Sequence, residues 1–392
     1  MSEKTYDFVV IGGGILGTFH AYHAARLGLS VLLLEKDYRP VQATVRNFGQ
    51  VVPSGMAGKW FDYGLRSLHF YKEMQASFDL SARANGSVYI ASDEDEARLL
   101  HEVKASFDAR GYASEQLTKG ETLRRYPSVR PEYAREALFF PDEISVEPHL
   151  LINRIHAYLR ERYPNLTQRF GTAAVGCEPA GAGAQVTLAG GERISAGKVL
   201  VCGGGEFGLL FPEVFRTSGI IVSKLQMMRI AAPAGLSLPG NILTGLTIRR
   251  YESFETCPSY PSLQTPEHLR ELKDQGIHIL FKQATDGSII LGDSHSYAGI
   301  GEVENLGFQS DAYINELMFR EAERIVGFPV RNLIECWSGY YPQHADGIFE
   351  YDVDSHIHIR TAIGGKGMTA SGGYAEEVVR GWFGGESLGF RV

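Results

Sequence analysis

The run Tyr6-Asp7-Phe8-Val9-Val10-Ile11-Gly12-Gly13-Gly14-Ile15-Leu16-Gly17 decides how the rest of the chain is read. Residues 6–11 have the length and apolar character of a buried strand, and three glycines follow at once. Gly12, Gly14 and Gly17 keep the spacing G-x-G-x-x-G, and an alanine-rich segment with helical character continues to about residue 27. In that context Gly12 allows a tight turn, Gly14 lets the main chain approach a pyrophosphate, and Gly17 lets the helix settle on the strand. The amides around Ile15 and Leu16 then face the diphosphate from the helix N-terminus. A second apolar strand, 31–34, ends at Glu35, followed by Lys36. A carboxylate there accepts hydrogen bonds from ribose hydroxyls and disfavours a 2′-phosphate. The order strand, glycine turn, helix, strand, acid predicts a dinucleotide-binding unit of α/β class, without separating a flavin from a nicotinamide.

Working outward, 392 residues exceed what one core usually holds, so two structural units are expected. Hydrophobic residues make up 44% and charged residues 21%, the balance of a packed globular enzyme. The net charge is −8, and no block of Lys and Arg is present to neutralise successive phosphates, which argues against a nucleic-acid partner. Cys177, Cys202, Cys257 and Cys336 are widely spaced, without a C-x-x-C pair, and fit buried thiols in a reducing cytosol. No metal-ligand motif stands out, and the longest apolar run, 8–16, is too short and glycine-rich to span a bilayer. A cytoplasmic protein with no membrane contact is expected.

Two further segments carry a resemblance. After the second strand comes a Gly/Ser/Pro-punctuated loop, 44–58, containing Arg46-Asn47-Phe48-Gly49-Gln50. Near the other end, Trp337-Ser338-Gly339-Tyr340-Tyr341-Pro342-Gln343-His344-Ala345-Asp346-Gly347 fits W-x-G-x-x-P-x-x-x-D-G, and Gly364-Gly365-Lys366-Gly367-Met368-Thr369 opens a helix expected over 370–382. With the N-terminal motif, these resemble the D-amino-acid-oxidase-like family of FAD-dependent oxidoreductases. The resemblance implies a Rossmann-like FAD-binding domain with an antiparallel-sheet substrate domain over the flavin. The cofactor unit is then 1–77, 141–215 and 334–392, and the substrate unit 78–140 and 216–333. It also implies FAD contacts from Gly12, Gly14, Ile15, Leu16, Gly17, Glu35, Lys36, Arg46, Asn47, Phe48, Val175, Gly203, Gly204 and Trp337, and from the loop Gly364, Gly365, Lys366, Gly367, Met368 and Thr369.

Family chemistry of this kind oxidises a C–N bond: the α-C–H of a neutral amine is held over the flavin, and water hydrolyses the iminium that results. The protein contributes positioning and electronics, so no acid–base residue is strictly required and no nucleophile or triad is assigned. Gln50, His344 and Lys366 are candidates beside the flavin. Gln50, Arg249, Tyr251, Tyr260, Lys282 and His344 are candidates for the substrate, with Arg229 and Arg250 as further cations, because an acid group on the amine needs charged donors. Monomeric sarcosine oxidases tether flavin through a Cys where this chain has Gly339, which implies non-covalent FAD. They also carry an oxygen-promoting Lys where this chain has Ile290, so the electron acceptor, oxygen or another, stays open. The loops 46–50 and 364–369 look most like a subgroup associated with phosphonate breakdown. That implies N-methyl-2-aminoethylphosphonate or 2-aminoethylphosphonate as substrate, with release of an amine, phosphonoacetaldehyde and, if oxygen accepts the electrons, H2O2. Glycine, sarcosine or a D-amino acid is the alternative. A 2-hydroxyacid or glycerol-3-phosphate-type dehydrogenase and a non-catalytic nucleotide-binding module are the other classes.

Overall fold

The computed structural model describes residues 5–384. Residues 1–4 and 385–392 of the expected cofactor unit lie outside the described residues. In the first sheet, five strands run parallel in the order Ile357–Thr361, Arg193–Val201, Thr5–Ile11, Val31–Leu34, Leu166–Arg169, and Phe349–Asp352 closes one edge antiparallel. Phe8, Val9, Val10 and all four residues of Val31–Leu34 are fully buried, because both faces of a parallel sheet are covered by other elements. A hairpin, Ala174–Ala180 with Gly183–Leu188, hangs from Arg193–Val201. Helix Ile15–Arg26 packs against Gly367–Phe383, which in turn packs on Gly58–Ser77. The two expected helices are present, the first ending at Arg26 and the second, expected over 370–382, running Gly367–Phe383.

The second sheet has eight strands in the order Leu333–Gln343, Ile221–Ile230, Ile289–Gly299, Leu280–Gln283, Asn241–Leu243, Ser87–Ala91, Glu136–Phe140, Glu115–Thr118. Its neighbours are antiparallel except Asn241–Leu243 beside Ser87–Ala91, which is parallel. The strand Leu333–Gln343 pairs along its length with Ile221–Ile230. The second sheet therefore continues past residue 333, into a segment expected in the cofactor unit. The motif in it touches the cofactor side at several points: Trp337 Nε1 and the Tyr341 hydroxyl both donate to the Arg46 carbonyl at 3.2 Å, and Gln343 bridges Ile363 at the strand's far end. One apolar cluster runs from Phe8 and Phe19 through Trp60 and Tyr71 to Tyr89, Phe140 and Met227, so the two sheets share a continuous core. Among the described residues, no helix is long and apolar enough to cross a membrane.

Candidate active site

The glycine turn is built as tightly as its spacing requires. Gly12 has φ +114°, and a Cβ there would fall 2.2 Å from the Cys202 carbonyl oxygen. A Cβ on Gly17 would fall 2.1 Å from the Gly12 carbonyl oxygen, so only glycine lets the helix start this close to the strand. The Gly13 amide donates to Glu35 Oε2 at 2.9 Å and the Asp37 amide to Glu35 Oε1 at 3.0 Å, which fixes the carboxylate at the strand end. The Ile15 amide donates to the Thr44 hydroxyl at 3.0 Å, tying the following loop over the helix N-terminus.

Three cavities follow one another from this turn. The first is lined by Gly12, Gly14, Glu35, Lys36, Thr44, Thr172, Ala174, Gly203 and Gly204. It shares Gly14, Thr44 and Gly204 with a second, which is lined by Ile15 to Gly17, Asn47, Tyr341, Gly364, Gly365, Gly367 and Met368. That one shares Asn47, Tyr341, Gly365 and Met368 with the third, whose walls include Phe48, Gln50, Arg250, Tyr251, His278, Asp293, His295, Lys366 and Thr369. An elongated dinucleotide fits such a series. Glu35 would hold its adenosine ribose, the Gly12–Gly17 turn with Thr44 its diphosphate, and Gly364–Thr369 its flavin. The N-terminus of Gly367–Phe383 would stabilise negative charge on the ring. Gln50 has a buried Oε1 without a donor at the wall of the third cavity, a position suited to a ligand N–H.

Several sequence-derived candidates stand elsewhere. Val175 is 43% exposed on the hairpin, while its neighbours Thr172 and Ala174 line the first cavity. The Arg249 guanidinium holds Asp93 Oδ2 and Glu96 Oε1, each at 2.6 Å, so its charge is used within the fold. The Tyr260 hydroxyl donates to the Arg249 carbonyl at 2.8 Å, and His344 Nε2 meets the Ser218 carbonyl at 3.1 Å; neither lines any of the three cavities. Lys366 does, but it pairs with Glu252 at 2.7 Å. Arg46 donates through Nε to the Val41 carbonyl. With Phe48, Trp337, Arg229 and Lys282 it lines a fourth cavity on the other side of the loop 46–50. Arg229 is held there by Glu335 and Asp286. Lys282 is buried and donates to the Val146 carbonyl at 2.7 Å, and burial pushes its ammonium down to about 8. It stands directly across from Ile290 on the neighbouring strand.

The third cavity holds groups the sequence did not single out. His278 Nε2 lies 2.8 Å from Asp293 Oδ1, and His295 stacks on His278 with ring centres 5.4 Å apart. Asp293 is buried; burial pushes its carboxyl up, but His278, His295 and Arg250 together hold it below its usual range. Burial pushes His295 down to about 4. Arg250 donates to the Tyr297 hydroxyl at 2.7 Å and, among the described residues, has no carboxylate within ion-pair distance. The signal that would have found this cluster is the turn at Asp286-Gly287. It sets the pairing of Leu280–Gln283 with Ile289–Gly299, and past Leu280 and Gly292 the register slips by one residue, so that His278 and Asp293 exchange both main-chain hydrogen bonds.

The described cysteines are all unpaired as thiols. At the place of the flavin tether, a Cβ on Gly339 would fall 2.6 Å from the Tyr341 ring and 3.0 Å from the Arg46 carbonyl oxygen, so a side chain has no room there.

Comparison with known proteins agrees with this fold. The chain is 22% identical over 369 residues to one of the polypeptides of opine oxidase from Rhizobium meliloti, covering 88% of this chain and 84% of that one. Its fold matches glycine oxidase from Geobacillus kaustophilus with a TM-score of 0.75 at 17% identity, over 98% and 96% of the two chains. It matches FAD-bound L-α-glycerophosphate oxidase from Mycoplasma pneumoniae equally well, with a TM-score of 0.75 at 16% identity, over 97% and 95%. The family model described as FAD dependent oxidoreductase, DAO, matches residues 7–380, and the chain belongs to that FAD-dependent family.

Proposed function

We propose that the chain oxidises the C–N bond of a small amine that also carries an acid group. The observation that carries this reading is the charge pattern of the cavity beside Gly364–Thr369. Arg250 faces it without a carboxylate partner among the described residues, and Asp293 faces it as a buried carboxylate. A guanidinium suits a carboxylate or phosphonate, and a carboxylate suits an ammonium. FAD, held non-covalently, supplies the two-electron acceptor. The protein's own part is to grip the two ends of the substrate, with Tyr251 and Gln50 closing the wall between them at 3.3 Å, and to keep bulk water from the reacting carbon. The preferred substrates are N-methyl-2-aminoethylphosphonate and 2-aminoethylphosphonate, supported by the loops 46–50 and 364–369; glycine, sarcosine or a D-amino acid is the alternative. The second reading, oxidation of a C–O bond, draws on the fold shared with a glycerophosphate oxidase. Asp293 speaks against it, because a buried carboxylate repels an anionic alcohol that brings no cation.

The test is anaerobic bleaching of the bound flavin with N-methyl-2-aminoethylphosphonate, 2-aminoethylphosphonate, sarcosine, glycine, D-alanine and lactate. Rapid bleaching by an aminophosphonate alone supports the preferred substrate. Bleaching by the amino acids keeps the amine chemistry and rejects the phosphonate. Bleaching by lactate alone rejects C–N oxidation.

A further inference from the structure

Resting on the amine reading above, we propose that Asp293 and His278 form the base that takes the proton from the substrate's ammonium group before its carbon is oxidised. Small aliphatic amines arrive at neutral pH as ammonium ions. A nitrogen that keeps its proton has no lone pair to form the C=N bond, so one N–H bond must break first. The proton needs an acceptor beside the bound nitrogen.

Three observations point to this pair. First, Asp293 Oδ1 is buried with no N–H aligned on it, and His278 Nε2 lies 2.8 Å away. A buried carboxylate oxygen with a free lone pair costs stability unless something fills it. An ammonium entering the cavity supplies the missing donor. Second, the imidazole beside it is already oriented. His278 Nδ1 sits 3.1 Å from the Thr247 hydroxyl, and a proton directed there leaves the Nε2 lone pair beside Oδ1. Third, Arg250 lines the same cavity, so an ammonium that brings its own acid group suits the site better than a bare metal ion. His278, Asp293 and His295 bring one potential ligand atom each within 4.8 Å of one another, and such a set can ligate a divalent metal. The Arg250 guanidinium, however, acts on both Asp293 and His295, and a dication would have to sit in its field.

The step balances simply. The substrate N–H bond breaks, an N–H bond forms at His278 Nε2, and the imidazolium shares its proton with Asp293. The amine keeps its electron pair, which later forms the C=N bond while the α-C–H electrons leave for the flavin. The groups facing the pair are His295 and Tyr297 on its own strand, Arg250 and Tyr251 from the segment opposite, and Tyr341 from Leu333–Gln343. Burial pushes the Tyr251 and Tyr341 hydroxyls up, so both keep their protons and neither competes as the base.

The test is rapid-mixing reduction of the FAD-loaded enzyme, without oxygen, between pH 6 and 9.5, with whichever of N-methyl-2-aminoethylphosphonate, 2-aminoethylphosphonate, sarcosine or glycine bleaches the wild type. At saturating substrate the wild-type rate is expected to be flat across the amine's own pKa. Asp293→Asn and His278→Asn, with flavin content and melting temperature checked, are expected to reduce slowly at pH 7. Their rates should rise about tenfold per pH unit towards the amine pKa, since each unit exposes tenfold more free amine. An amine of lower pKa, N-(2-fluoroethyl)glycine, is expected to restore much of their rate at pH 7. Folded variants with a flat profile overturn the proposal, and so does metal present in stoichiometric amount in the purified wild type and lost in Asp293→Asn. If neither variant folds, the wild-type profile decides: an inflection at the free amine's own pKa shows that no internal base acts. A wild type bleached by none of the amines overturns the amine reading itself, an outcome distinct from any of these.

Discussion

Arg249 and Arg250 are neighbours with opposite fates, and only the structure separates them. Arg249 is buried between Asp93 and a fully buried Glu96. Arg249→Ala leaves that carboxylate without its partner and is expected to cost about 3–5 kcal/mol of stability, read as a lowered melting temperature with KM unchanged in the surviving enzyme. Arg250→Met is expected to do the reverse. It should raise KM for an acid-bearing amine about 10- to 100-fold, about 1.4 to 2.8 kcal/mol of binding, and leave the melting temperature in place. A sequence shows a basic residue but not which acids reach it first. Lys282 is a similar case, expected at the substrate and found across from Ile290 in the wall of the fourth cavity. Lys282→Met is expected to slow the reaction of the reduced enzyme with oxygen about tenfold or more, about 1.4 kcal/mol in the barrier, while anaerobic reduction keeps its rate. Among the histidines, His156 is held by the Thr18 hydroxyl at 2.9 Å, and burial pushes its imidazole from 6.5 down to about 3. Its folded value lies below its unfolded value, so its contribution to stability is present above pH 6.5 and is lost as pH falls. His156→Gln should flatten the fall of stability below pH 6.5 by about 1.4 kcal/mol per pH unit, measured by denaturant titration.

At the scale of elements, the strand–turn–helix–strand that begins at Thr5 was legible because its defining contacts are local, Gly17 on the Gly12 carbonyl and Glu35 on the Gly13 amide, while Gly12 itself meets Cys202 from far along the chain. Leu333–Gln343 was less legible. Its motif belongs to the cofactor's surroundings, yet its main chain is committed to Ile221–Ile230, more than a hundred residues away, and strand pairing at that range leaves no periodic mark in either segment. The cluster at His278, Asp293 and His295 needed a strand register and a turn to be read together. At the crowded Gly339, the geometry leads to an expected outcome: acid precipitation of the holoenzyme should release all of its yellow chromophore to the supernatant. Introducing Gly339→Cys should lower stability by about 1–3 kcal/mol through overpacking rather than create a flavin–protein bond.

For the molecule as a whole, the three linked cavities run between the two sheets' supporting elements, and a cofactor filling them touches both. Binding to the folded state alone stabilises by mass action, about 2.7 kcal/mol at a hundredfold excess over Kd. Stripping the flavin should therefore lower the melting temperature by several degrees, and titrating FAD back should raise it with the logarithm of concentration. The two-unit architecture and the dinucleotide end were readable from the sequence, while the cavity's charge pattern came only with tertiary pairing.

The cradle's contributors have a further consequence. Its floor is the turn at Gly12, one wall follows Arg193–Val201, and its lid is Gly364–Thr369, so the site draws on segments more than 350 residues apart. A chain emerging from the ribosome has made the nucleotide-binding turn long before it has anything to close over it. The vitamin-derived cofactor can be captured only once residues 364–369 have been made, so cells short of riboflavin should accumulate cofactor-free protein rather than fragments stalled before that lid, and that apoprotein is the form most exposed to proteolysis.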